Sequence, residues 1–275
     1  DGATANTLVA LSLVIGMPFF IVFGTLSDRI GRKPIIMAGC LLAALSYFPL
    51  FNALTSHANP KLQQAMLSAP VTVQAPAGDC HLLLNLTGTA RFDTGCDVSR
   101  SFLSNAGVNY SKQEVPGVAM ATVKVGDRAI TAYDGKAANA AGEKARFEGE
   151  LRAALDAAGY PAKADPIPAG SGAWWMIIGI LSLMVIYVTM VYGPIAALLV
   201  EMFPTRIRTT SMSLPYHIGN GWFGGFLPAI SFAIVAAQGN IYSGLWYPVI
   251  VAGLSFVVGM LFLKETKDRD LYSGD

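Results

Sequence analysis

The sequence predicts an all-α integral membrane protein of five spans, with a small α+β domain held outside the membrane between the second and third. Hydrophobic residues make up 53% of the 275 and charged residues only 13%, about half the charged share of a soluble globular chain. The charges are also gathered: residues 55–172 hold 11 of the 19 Lys/Arg and 11 of the 18 Asp/Glu. Four uncharged stretches, 2–27, 34–56, 166–200 and 209–263, reach or exceed the roughly 20 residues that cross a bilayer as a helix. The last is long enough for two spans and divides at AAQGNIYSG, residues 236–244, which is small, polar and rich in turn formers.

Residues 1–54 therefore read as two helices, roughly 5–25 and 35–54, and 173–264 as three, roughly 174–200, 210–235 and 243–263, with a tail over 265–275. Lys and Arg in short connections mark the cytoplasmic side. The connections that carry them are SDRIGRKP, EMFPTRIRTT and the tail, and five spans with one long excursion place all three together. The uncharged 236–244 and the 55–172 insert then fall outside, in the periplasm of a bacterial inner-membrane protein. A first residue of Asp1 and an odd number of spans suggest a fragment or a processed product. A net charge of +1 gives no reason to expect a nucleic-acid partner; membrane lipid is the expected surrounding.

In the insert, VTVQA (71–75), CHLLLNL (80–86), AMATVKV (119–125) and RAITAYD (128–134) read as strands, the last two joined by Gly126-Asp127. DVSRSFLSNAGV reads as a helix capped by Asp97 and ended by Gly107, and apolar residues at 147, 151, 154, 155 and 158 mark a second helix ending at Gly159. PAKADPIPAGSG reads as a linker back to the membrane. Cys80 and Cys96 are the insert's only cysteines; on an oxidising side they are expected to form a disulfide. His81 beside Cys80 lacks zinc-site spacing, so no metal is expected. Asn85-Leu-Thr and Asn109-Tyr-Ser are formal glycosylation acceptors, meaningful only in a eukaryotic source.

GTLSDRIGRKP, residues 24–34, stands between the first two spans and carries Gly24, Asp28, Arg29, Gly31, Arg32 and Lys33. It resembles the signature cytoplasmic loop of the major facilitator superfamily. EMFPTRIRTT resembles the E-x-F-P-x-x-x-R segment of sugar-porter-like members. Together they imply that the chain corresponds to helices eight to twelve, with the N-terminal helices missing. The Pro215 to Gly221 run and LKETKDRDL look most like the metabolite:proton symporter branch, which takes up carboxylates and betaine-like solutes.

The resemblance implies alternating access, with Asp28, Arg29, Arg32, Glu201, Arg206 and Arg208 forming a cytoplasmic charge cluster in which Glu201 pairs with Arg29 or Arg32. Gly24 is expected to permit close helix approach and Gly31 the sharp reversal. Pathway candidates are Tyr187, Thr189 and Tyr192, just before Gly193-Pro194, and a polar stripe of Ser213, Tyr216, His217 and Asn220. His217 is either a proton relay or carboxylate ligand, or a neutral histidine bonded to a neighbouring helix's backbone. The spans hold no Asp, Glu, Lys or Arg, so the carrier in a proton-coupled mechanism is His217 or lies in the missing helices.

The sequence thus points to a secondary active transporter of a small metabolite, with the proton as coupling ion and no other cofactor. Its rivals are a sugar-type facilitator and a membrane-anchored solute-binding or sensor protein working through the insert. No Ser/His/Asp set, metal-ligand spacing or phosphate-binding glycine loop appears, so no enzyme is expected.

Overall fold

The computed structural model describes residues 2–86 and 89–269, so the predicted tail is seen only to Arg269 and Thr87 of the first glycosylation motif lies outside the described residues. The chain divides into two units.

The membrane unit contains α1 (Gly2–Ile30), α2 (Arg32–Ala58), α6 (Gly172–Met202), α7 (Arg208–His217), a π-helical turn (Ile218–Gly224) and α9 (Trp246–Phe262). Among the described residues five helices are long and apolar enough to cross a membrane, the fourth running from Arg208 through the π turn to Gln238. Large apolar side chains point outward along them: Ile21 is 74% exposed, Leu45 70% and Leu261 71%. That is the arrangement for lipid-facing helices, whose backbone groups are satisfied internally.

Small residues set the helix contacts. A Cβ on Gly193 would stand 3.2 Å from the Phe20 carbonyl and 3.3 Å from the Gly24 nitrogen, and one on Gly39 would stand 3.1 Å from the Tyr187 carbonyl. Gly193 and Gly39 thus bring α6 against α1 and α2. The sequence assigned the close approach to Gly24, but a Cβ there meets nothing within 4 Å. The space-limited partner is Gly193, whose Cα faces the α1 backbone. Ile36, Met37, Cys40 and Leu198 form a small buried cluster with Val191, Phe256 and Leu263, joining α2, α6 and the end of α9.

The second unit contains α3 (Pro60–Ser68), β1 (Val71–Ala75), α4 (Gly95–Asn105), β2 (Tyr110–Glu114), β3 (Thr122–Val125), β4 (Arg128–Thr131) and α5 (Ala140–Ala157), together with residues 228–246, which hold all but the first residue of α8 (Leu227–Gln238). The sheet runs β2-β1-β3-β4, with β1 and β2 parallel and the other pairs antiparallel. β1 alternates buried and half-buried positions, as a sheet with one covered face requires. Val73, Val123, Leu103 and Leu151 are fully buried beneath it, with Phe147 nearly so. Cys80 and Cys96 form a disulfide.

Three local expectations for the insert change. Residues 80–86 are not a strand: the His81 N–H goes to the Asp97 carboxylate at 2.8 Å and Cys80 is tied to α4, so side chains and the disulfide replace a neighbouring strand. The N-cap of α4 is Thr94, whose hydroxyl accepts from the Asp97 N–H at 3.2 Å; Asp97 sits inside the first turn. α3 and β2 also form where none was expected. α3 is capped by Asn59, with Pro60 in its first turn. β2 is a polar edge strand in which only Tyr110 is buried, so it lacks the alternation that marks strands in sequence.

Candidate functional site

The α1–α2 turn, the end of α6 and the segment after α9 meet at one end of the membrane unit, around Arg32. Arg32 is only 8% exposed, in the first turn of α2. Its guanidinium donates to the Glu201 carboxylate at 2.9 Å, to Ser27 Oγ at 2.8 Å and to the Asp28 carboxylate. The side chain of Glu201 is nearly as buried as that of Arg32, whereas that of Asp28 is mostly exposed. Thr266 Oγ1 donates to the second Glu201 oxygen at 2.6 Å.

The segment after α9 completes the cluster. The Glu265 carboxylate accepts from the Arg32 and Lys33 N–H groups at 2.9 and 3.0 Å. It thereby caps the N-terminus of α2, where donors are orphaned and the helix dipole favours a negative charge. Gly31 lies between, with φ +112, and a Cβ there would fall on the Glu265 carboxylate. Its glycine serves both the reversal and the carboxylate's access. Burial pushes the Glu265 carboxyl up, but N–H donors from Arg32, Thr266, Lys267 and Lys33 outweigh it and hold the carboxyl below its ordinary value. Lys267 Nζ donates to the Arg29 carbonyl, Lys33 Nζ to the Met260 carbonyl and Arg269 to the Met202 carbonyl.

Of the residues expected here, Asp28, Arg32 and Glu201 are brought together, and Arg32 rather than Arg29 takes Glu201. The side chains of Arg29 and Arg206 are exposed and form no ion pair among the described residues. Arg208 donates to the Phe203 carbonyl at 3.1 Å, stabilising the α6–α7 bend instead of entering the cluster. Glu265, Thr266 and Lys267 were read from sequence only within the LKETKDRDL run and given no place in the cluster. Their signal was the acid–hydroxyl–base run just after the last apolar span, too short to name as a cap without the helix it serves.

The expected pathway residues divide. Tyr187 and Thr189 are buried on α6, and Thr189 Oγ1 donates to the Ile186 carbonyl of its own helix at 2.7 Å. Tyr192 is 46% exposed, and its hydroxyl donates to Asn220 Oδ1 at 2.6 Å; Asn220 Nδ2 donates to the Tyr216 carbonyl at 3.1 Å. His217 stacks edge-on with Tyr216 and makes no hydrogen bond among the described residues. Tyr192, Tyr216, His217 and Asn220 therefore share one exposed face beside the π turn, a helix distortion frequent at functional sites. Among the described residues no group of acidic, His or Cys side chains is arranged to hold a metal.

Residues 157–275 match the model of the sugar (and other) transporter family. A Haemophilus influenzae protein named for metabolite transport is 38% identical over 100 residues, which are 35% of this chain and 20% of that protein. The citrate-proton symporter of Salmonella typhi is 35% identical over 77 residues, 27% of this chain and 18% of its own. A glycine betaine/proline/ectoine/pipecolic acid transporter of Dickeya dadantii is 29% identical over 96 residues, 35% of this chain and 19% of its own. The chain spans about a fifth of the length of these curated relatives. No solved structure matches. The matched region, residues 157–275, is similar to a family of transporters, and these relatives are named for transport.

Proposed function

We propose that the chain forms part of a proton-coupled secondary transporter for a small carboxylate or betaine-like metabolite, working by alternating access. The observation that carries this reading is the Arg32 cluster. A buried arginine joins three connections through side-chain partners, and such links can part when helices move. In this reading the cluster lies in the cytoplasm and closes the inner gate, while the exposed face of Tyr192, Tyr216, His217 and Asn220 lines the path once the remaining helices are in place. The relatives named for citrate-proton symport and for betaine transport support the solute class. The insert belongs to the periplasm of a bacterial inner-membrane protein, on the side of the 236–241 segment to which it is hydrogen-bonded.

The test is uptake of radiolabelled citrate, glycine betaine, proline and a hexose by cells expressing the gene, with and without a protonophore. Citrate or betaine uptake that collapses with the protonophore is expected. Hexose uptake indifferent to it would favour the sugar facilitator, which the family description also supports. No uptake despite membrane insertion would overturn transport as the function.

A further inference from the structure

The insert contains a half-open cavity of about 500 Å³ between α3, α4 and α5, within the size range of small-molecule sites, and the transport reading makes no use of it. Its aromatic wall is held from behind. Phe147, 1% exposed in the core, packs edge-on against Phe102 with centroids 6.4 Å apart and, tilted, against Tyr133 at 5.9 Å. Both of the latter rings line the cavity, so their positions are set by a residue that cannot move freely. Leu62, Val98 and Leu155 add aliphatic wall.

The rim has a definite charge pattern. Lys144, Glu148, Arg152 and Asp156 follow one another at every fourth residue of the α5 segment and all line the cavity. Two cations alternate with two anions, so the rim has no net charge. The Arg152 guanidinium lies over the Phe102 ring, 5.5 Å from its centre, and pairs with no carboxylate among the described residues although Glu148 and Asp156 flank it in sequence. Stacking holds its plane while leaving N–H donors for a bidentate acceptor. Glu148 is only loosely held, with the Lys144 ammonium 3.9 Å away. Burial first, and then the Glu148 and Asp93 carboxylates, push the Tyr133 phenol up, so it keeps its proton and can donate.

We propose that this cavity binds a small zwitterion with an apolar, ring-sized body: its carboxylate on Arg152, its ammonium on Glu148 and its body against Phe102. A rim of zero net charge disfavours a simple anion or cation, each of which would leave one rim charge facing its like. The proposal rests on the insert alone and stands apart from the transport reading.

The test is calorimetry on the full chain in lipid nanodiscs with three probes of one shape: L-phenylalanine, 3-phenylpropionate and 2-phenylethylamine. L-phenylalanine is expected to bind about tenfold tighter than either singly charged probe, since each of those lacks one charge-assisted contact. Arg152→Gln should weaken phenylalanine and phenylpropionate about tenfold and spare phenylethylamine; Glu148→Gln should weaken phenylalanine and phenylethylamine about tenfold and spare phenylpropionate. Equal binding of all three probes, indifference to both substitutions, or no binding would overturn the proposal. Should either variant misfold, photolabelling of the unaltered chain with p-benzoyl-L-phenylalanine decides: labels at 92–106 or 144–162 support the site, and labels confined to the membrane helices exclude it.

Discussion

Each unit contains a buried arginine that ties distant segments together, Arg32 at 8% exposure and Arg100 at 3%, and they do so with opposite chemistry. Arg32 bonds to side chains: Glu201, Asp28 and Ser27. Arg100 bonds to backbone: its Nε donates to the Ala236 carbonyl and its Nη1 to the His81 carbonyl, both at 2.8 Å. Its nearest carboxylate, Asp97, is 3.7 Å away and also bonded to His81. Around it, the Tyr110 hydroxyl donates to the same Ala236 carbonyl, the Tyr110 N–H to the Gly239 carbonyl and the Ile241 N–H to Asn109. Side-chain partners can be exchanged by a rotamer change or a sliding helix, whereas backbone carbonyls move only with their segment. The first arginine is suited to parting and re-forming, the second to permanence.

That contrast breaks most readily at Arg100. Arg100→Ala strips the cation from a buried carboxylate, frees the His81 carbonyl of this donor and leaves the Ala236 carbonyl to Tyr110, a change that costs roughly 3–5 kcal/mol in comparable buried pairs. Amide exchange at 236–241 should accelerate and the insert's thermal transition should fall. Unchanged exchange there would mean that Tyr110 and Asn109 suffice to hold the segment, and the permanent tie would have to be reassigned to them. At Arg32 the expected effect is smaller and functional. Glu201→Lys should remove at least about 2 kcal/mol of bias between two near-equal states, on the order of thirtyfold in their ratio, and abolish uptake. Uptake should return in part when Arg32→Glu is added. Normal uptake in the single variant would show that the cluster is a static strut, no different in kind from the Arg100 tie.

How far these two sites could be read from sequence differs for physical reasons. The spans announce themselves by length and absence of charge, and the convergence of residues 24–34 and 201–208 follows from topology alone. Which arginine meets Glu201 does not, because Arg29 and Arg32 lie almost one helical turn apart and the breaking turn at Gly31 decides which faces inward. The assignment of close packing to Gly24 failed similarly: a glycine's effect lies on the face opposite its neighbour, and sequence does not show that face. Arg100 was invisible because its acceptors are main-chain carbonyls, which every residue has. The strand expected at 80–86 misled for a related reason: of its leucines only Leu83 is buried, and the segment is a loop pinned through Cys80 and Asp97.

The smallest expected effect sharpens the contrast at its least conspicuous member. Glu265 caps α2 through the Arg32 and Lys33 N–H groups and also accepts from Thr266 and Lys267, and its folded-state carboxyl lies below the ordinary value. A lowered folded value means that the capping contribution is fully present above the unfolded carboxyl's ordinary range. It is lost as pH falls through the lower folded one. Because Glu265 is exposed, the contribution should be close to that of a solvated helix-terminus charge, about 0.5 kcal/mol. Amide exchange at Arg32 and Lys33 should therefore stay slow from neutrality down through the ordinary carboxylate range and rise only below it, after correction for the intrinsic acid dependence of exchange. Glu265→Gln should raise it modestly at neutral pH already. If the rise instead begins near neutrality, another group controls the cap, and the end of α2 would belong with the parts of the cluster that part easily.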